Sequence, residues 1–327
     1  MELNELSEKS NGGTELMGRR LYASIDPDLL SNFQIILSRV RYLDKDKIRV
    51  LWFHDLADDP ENDHLLNEGW RKFHFFVFVS YWQMYSYIDK YKIPHSMCVV
   101  IRNGIEPFPK HTKPTEGPLN LVYFSTPHRG LNILVPVFEK LVEEGHDIHL
   151  HVYSSFELYG WAVRDIPFAK LFDRCKEHPK ITYGGAISNE EMRAKLEDMH
   201  ILAFPSTWPE TSCLVLIEAM VAGLDCVHSD FGALPETSSG LTHMYRYDDD
   251  VTKHARNFYG ALKSTIENYR DPPSVNARQM TSLIASEKYN WDYRAQEWNI
   301  VLEQLLKSNP PREIVESTNN WNYTVKI

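Results

Sequence analysis

Long apolar runs are missing from this chain. No stretch of about 18 apolar residues occurs, so no membrane-spanning helix is expected. The first residues, Met1-Glu2-Leu3-Asn4-Glu5, lack a basic region followed by an apolar one, so no signal peptide is expected and the cytoplasm is the expected compartment. Basic excess is also missing. Lys and Arg number 35 against 45 Asp and Glu, and the net charge of -10 argues against general nucleic-acid binding, leaving any anionic ligand to be held by local donors. Cysteine is scarce: Cys98, Cys175, Cys213 and Cys226 show no paired metal spacing, and three of them lie in apolar runs, as reduced core thiols do. No repeat of solenoid period is found. Asn322-Tyr323-Thr324 fits a glycosylation acceptor, but without an export signal it reads as part of a polar tail.

What is present is enough apolar residue, 43% of 327, for two ordinary cores. The first series of elements is helical over Thr14 to Ser24 and extended over Phe33 to Leu37, Ile48 to Phe53 and Phe75 to Ser80. It continues helical over Tyr81 to Lys92 and extended over Met97 to Ile101. Near-continuous apolar strands alternating with helices predict a parallel sheet covered on both faces. Asn103-Gly104-Ile105-Glu106-Pro107 breaks the pattern, and the polar Lys110 to Pro118 segment reads as a linker. A second series has strands near Leu119 to Phe124, Ile148 to Tyr153, Ile181 to Tyr183, Ile201 to Phe204 and Asp225 to His228. Its helices are Leu131 to Glu144, Asn189 to Asp198 with a Ser188/Glu191 capping box, and Thr211 to Ala222. Helical patterns at His254 to Asn268 and Asn290 to Lys307 close the chain. The expectation is an α/β chain of two doubly wound domains, residues 1–107 and 108–289, with a tail at 308–327. Ligands bind beyond the carboxyl ends of such strands.

The densest chemistry lies in Pro205-Ser206-Thr207-Trp208-Pro209-Glu210 and the apolar run to Gly223. The two prolines end the strand, so Glu210 is placed just before a helix and Glu218 about two turns inside it. Eight positions at roughly 1.5 Å each span about 12 Å, comparable with the reach from a hexose through a diphosphate to a ribose. Between the carboxylates, the amides of Thr211, Ser212 and Cys213, with Leu214 next, face a ligand where a helix N-terminus favours negative charge. Two acceptors for hydroxyls thus bracket a phosphate site.

This segment resembles the Glu-x7-Glu signature of retaining glycosyltransferases of the GT-4-like group, which have the GT-B fold of two Rossmann-like domains. The resemblance covers nearly all of residues 11 to 307 and is strongest over 181 to 236. It implies that Glu210 approaches the donor sugar's hydroxyls and that Glu218 binds the nucleotide ribose. It also implies that the last helix, 290–307, crosses back onto the first domain. Gly12-Gly13 looks like the family's glycine loop against the donor diphosphate. It comes early, so the first domain is expected to lack its usual first strand or to hold a short polar version of it. His54, after the strand Arg49 to Phe53, matches a family histidine close to the donor sugar, although a lone histidine at a strand end is more often structural. Arg129 matches one of two cations that neutralise the leaving diphosphate; the other falls near Phe124 or Ser125, with His128 or Arg19 as substitutes. Gly185 and Ile187 lie near the family's base-binding loop, and Asp230 to Glu236 reads as a structural turn.

His149 and His151 share a strand face without further ligands, and no Asp-x-Asp stands at a strand end, so no metal and no cofactor are expected. The activity implied is metal-independent transfer of a hexose, with retention, from a UDP- or GDP-sugar to the hydroxyl of a glycan, lipid-linked or small-molecule acceptor. Peripheral contact with a membrane is compatible with such acceptors. A sugar-nucleotide epimerase on the same fold, or a non-catalytic sugar-nucleotide binding protein, are the alternatives.

Overall fold

The structure, a computed structural model, describes residues 12–108 and 113–308. The short N-terminal strand, Asn11, part of the linker, the Asn322 acceptor and all but the first residue of the tail fall outside these residues. The chain divides into two compact units. The first comprises Gly13–Gly104 with the C-terminal segment from Asn290, and the second Ile105–Tyr289, with Gly12 grouped with it.

The first unit opens with helices α1 (Gly13–Ser24) and α2 (Pro27–Leu30). Strands β1 (Phe33–Leu37), β2 (Ile48–Phe53) and β3 (Phe75–Phe78) follow, then helix α3 (Tyr81–Tyr91) and strand β4 (Cys98–Val100). All strand pairs are parallel, in the order β1-β2-β3-β4. The sequence dictates this: every residue of β1 and β2 is buried, as expected of strands covered on both faces. Two polar residues are buried with them, and each is bonded. Gln34 donates to the Tyr42 carbonyl at 3.0 Å, and Arg49 to those of Asp44 and Lys72 at 2.7 and 3.1 Å. The last helix of the chain belongs to this unit. Its Trp298 ring meets Trp52 of β2 at 4.8 Å, and Trp291 donates to Ser24 at 2.7 Å.

The second unit contains β5 (Leu119–Phe124), α4 (Leu131–Glu143), β6 (Ile148–Tyr153), α5 (Ala169–Glu177), β7 (Ile181–Tyr183) and α6 (Asn189–Lys195). Then come β8 (Ile201–Phe204), α7 (Leu214–Val221), β9 (Asp225–Ser229), α8 (Leu234–Ser238), β10 (His243–Tyr245), α9 (Val251–Glu267) and α10 (Pro272–Lys288), before α11 (Trp291–Ser308) of the first unit. Its six parallel strands run β10-β9-β8-β5-β6-β7. Strand order therefore reverses between β5 and β8, and the loops leaving their carboxyl ends, 125–130 and 205–213, become neighbours at the switch point.

Sequence patterns do not reveal α5, β10 or α10. Helix α10 begins with two prolines and buries only Thr281 and Ala285, so it has almost no apolar stripe to read. Among the described residues, no helix is long and apolar enough to cross a membrane.

Several histidines are buried and held neutral, His228 and His64 among them. His228 hydrogen-bonds the Ser229 carbonyl (2.8 Å) and Thr242 Oγ1 (2.7 Å), and His64 the Glu61 carbonyl (2.9 Å). A carbonyl only accepts, so Nδ1 carries the proton in both. Burial pushes each pKa from 6.5 down to about 4. Between pH 4 and 6.5 the unfolded chain thus binds more protons than the folded one, and stability falls with acidification by about 1.4 kcal/mol per pH unit per histidine. The melting temperature should drop steadily from pH 6.5 to 4, and His228→Gln should flatten that slope. An unchanged slope would contradict this assignment.

Candidate functional site

Local chemistry brings the two switch-point loops together. After β5, a short turn at Pro127–Arg129 ends in Gly130, whose φ of +104° favours glycine. A Cβ there would lie 2.0 Å from the Pro205 carbonyl oxygen, so only glycine lets the loops meet. Thr207 Oγ1 ties them again by donating to the His128 carbonyl at 3.1 Å. Within the 205–213 loop, Ser206 Oγ donates to the Trp208 carbonyl (3.1 Å), and Ser229 Oγ donates to the Ser206 carbonyl (3.0 Å).

Glu210 is clamped through its backbone. Its carbonyl accepts from Ala233 N at 2.7 Å, and a Cβ on Gly232 (φ +64°) would lie 2.7 Å from both Glu210 N and O. The Asp230 to Glu236 turn, structural in the sequence reading, is therefore the seat on which this carboxylate rests.

The Glu210 side chain, in a residue 5% exposed, faces Arg129. Arg129 NH1 donates to Oε2 at 3.2 Å and stands 3.1 Å from Oε1. Burial raises the Glu210 pKa and the guanidinium draws it back; for Arg129 burial is opposed by Glu210 and, with it, Tyr159, Cys213 and Tyr123, which together hold the cation protonated. At the carboxyl ends of β5, β6 and β8 the buried polar atoms without a hydrogen-bond partner include Glu210 Oε1, Arg129 Nε, Thr126 Oγ1 and Ser154 Oγ. Native interiors rarely leave several such atoms together unless a ligand or water completes them.

Glu218 lies on α7, 3% exposed, and its Oε1 accepts from Asn189 Nδ2 at 2.7 Å. Asn189 is fixed as the first residue of α6 by the expected capping box of Ser188 and Glu191. The pattern predicts α7 to begin at Thr211, but it begins at Leu214 with Cys213 at the N-cap. Thr211 and Ser212, residues that favour turns, extend the loop instead. Glu218 therefore stands early in the second turn, and the amides at the helix tip are those of Leu214 to Leu216 rather than those of Thr211 to Cys213.

Other expected positions scatter. Ile187 and Gly185 sit between β7 and α6 in the same unit. There Gly184 is the tighter glycine: a Cβ on it would meet the Tyr153 ring at 2.5 Å, whereas Gly185 has open space. His128 cannot stand in for the second cation near neutral pH, because burial, then Arg129 and Arg164, push its pKa to about 4. His54 ends β2 in the first unit, where burial pushes its ring to about 3, 4.6 Å from Trp52. Gly13 opens α1, and Gly12 precedes it as a buried residue. Rings of His149 and His151 stand 4.9 Å apart, and the described residues hold no group of three His, Cys, Asp or Glu able to share a metal.

A family model described as glycosyl transferases group 1 matches residues 120–263, which contain both glutamates and Arg129. Residues 120–263 thus resemble the glycosyl transferases group 1 family. Both units are those of a GT-B fold. A glycosyltransferase structure from Rickettsia africae ESF-5 is similar over 92% of this chain and 84% of its own, at 14% identity and TM-score 0.65. Sucrose-phosphate synthase from Thermosynechococcus elongatus is similar over 90% and 79%, at 14% and 0.65. Anabaena Alr3699/HepE in complex with UDP and glucose is similar over 79% and 72%, at 15% and 0.64. A curated relative, an uncharacterized 41.2 kDa protein in the cps region of Klebsiella pneumoniae, is 32% identical over 155 residues, 42% of this chain. That match spans about two fifths (41%) of the relative's length.

In the second unit the Gly232 contact is testable. Gly232→Ala forces a Cβ into the Glu210 backbone at positive φ and should cost about 1–3 kcal/mol of stability, read by urea denaturation. Gly145→Ala, also at positive φ but with open space around it, should lose less. Equal losses would show that strain in φ alone, not the Glu210 contact, sets the cost.

Proposed function

We propose that the chain transfers a hexose, with retention, from a nucleotide diphosphate sugar to an acceptor hydroxyl without a metal ion. The observation that carries this reading is the Arg129–Glu210 pair at the switch point, within the segment that matches a glycosyl transferases group 1 model, with both partners carrying a buried polar atom that lacks a hydrogen-bond partner. A diphosphate offers Arg129 a stronger anionic partner than Glu210. Its arrival draws the guanidinium away, and Glu210 is then free to accept from sugar hydroxyls. The amides at the tip of α7 share the diphosphate charge, where donors placed in advance are most effective. Glu218, steadied by Asn189, accepts from the ribose.

The acceptor attacks on the face the phosphate leaves, and a phosphate oxygen takes its proton, so Glu210 orients the sugar and forms no covalent bond. Glucose with UDP is the first donor to test, supported by the Alr3699/HepE complex. The acceptor is a glycan or a lipid-linked or small-molecule hydroxyl.

Glu210→Gln keeps the shape and removes the charge. It should lower transfer from UDP-glucose by about a hundredfold or more, while UDP still raises the melting temperature. Undiminished transfer would sink the reading. Acceptor-dependent UDP release separates transfer from epimerisation, which converts the donor without release. Asn189→Ala should raise the donor KM about tenfold, the loss of one charge-assisted hydrogen bond, with kcat nearly constant. A fall in kcat alone would place Asn189 elsewhere in the cycle.

A further inference from the structure

A cavity of about 650 Å³ in the second unit is lined by His128 and Thr207 but not by Arg129, Glu210 or Glu218. Ile133 of α4 and His254 of α9 also line it. His254 is 1% exposed, and its Nε2 is 3.1 Å from Tyr245 Oη and 3.4 Å from the Pro205 carbonyl. Its Nδ1 has no partner, and nor does Nδ1 of His128, which also lines the cavity. The cavity therefore holds two unpartnered imidazole nitrogens, one of them fully within the fold.

The remaining lining says what would pair with them. Lys170 and Arg174 are matched in number by Asp248 and Asp249 in the lining, and Arg174 is already joined to Glu139. Such a lining selects neither a phosphate nor a cation. Tyr247 presents an aromatic wall whose angle is set by stacking on Phe231 at 4.0 Å and 4°. Phe168 supplies a second apolar surface. Neutral nitrogens and carboxylates for hydroxyls, aromatic faces for C–H surfaces, and a volume within the usual 300–1,000 Å³ of ligand sites match a pyranose better than any charged ligand.

We infer that this cavity is a binding site for a neutral oligosaccharide, separate from the nucleotide-sugar site. His254 and His128 exchange hydrogen bonds with its hydroxyls, Asp248 accepts from them, and Tyr247 packs against a sugar face. If the proposed transfer holds, the oligosaccharide is the non-reacting part of the acceptor. That role rests on the transfer reading, whereas the binding does not.

The test follows the Ile133 methyl resonance of the whole chain during titration with maltotriose, chitotriose and mannotriose, and with inorganic phosphate as the charged control. At least one trisaccharide should shift it saturably, and phosphate should not. Tyr247→Ala should weaken that binding about fivefold or more, the loss of one aromatic contact. Because Tyr247 reaches the Glu210 seat through Phe231, Asp248→Asn serves as a second variant that leaves the stack in place, and it too should weaken binding. Both should keep the melting shift given by UDP-glucose. No response to any of the three sugars, an equal response to phosphate, or binding unchanged in both variants would overturn the site. Sugar binding without transfer would fault only the transfer reading, and transfer without sugar binding only this one.

Discussion

The second unit is organised around one buried ion pair, Arg129 with Glu210. Desolvation makes such a pair a poor device for stability, since hydrophobic residues of similar volume often do as well. Its worth lies in the charges it stores. Each partner keeps the other ionised in a place where neither could stand alone, and a ligand that takes one partner releases the other. The surrounding fold serves that arrangement. Reversal of strand order between β5 and β8 brings the two loops side by side, Gly130 lets them touch at Pro205, and Gly232 fixes the height at which Glu210 stands.

The second carboxylate is held by a different logic. Glu218 is rigid because α7 is apolar over most of its surface and is buried, so a charged residue on it is placed by packing and then met by Asn189 from α6. One glutamate is positioned by close backbone contact and one by helix burial. Spacing in sequence alone does not distinguish these.

Much of this was legible beforehand. Strands such as Ile48–Phe53 and Ile201–Phe204 are apolar throughout and bounded by breakers, and the Ser188/Glu191 box marks its helix start by chemistry that is local. The glutamates stood out by their spacing across the start of an apolar helix, and Arg129 by its resemblance to a family cation. Less legible were features set by contacts far apart in sequence. Gly232 needs the Glu210 backbone, and Asn189 needs Glu218, so neither carries a local signal beyond a turn and a helix start. The true start of α7 was missed because Thr211 and Ser212 precede an unbroken apolar run, and the pattern marks burial rather than the first hydrogen-bonded turn. Helix α10 escaped because it buries too few apolar residues to show a period.

A diphosphate and Glu210 compete for Arg129 in the proposed reaction. A crystal structure of the chain with UDP-glucose tests this directly. It should show the guanidinium within hydrogen-bond distance of a diphosphate oxygen and Glu210 turned from it to a sugar hydroxyl. A nucleotide sugar bound with the Arg129–Glu210 distances still near 3.1 Å and neither side chain touching it would contradict the account.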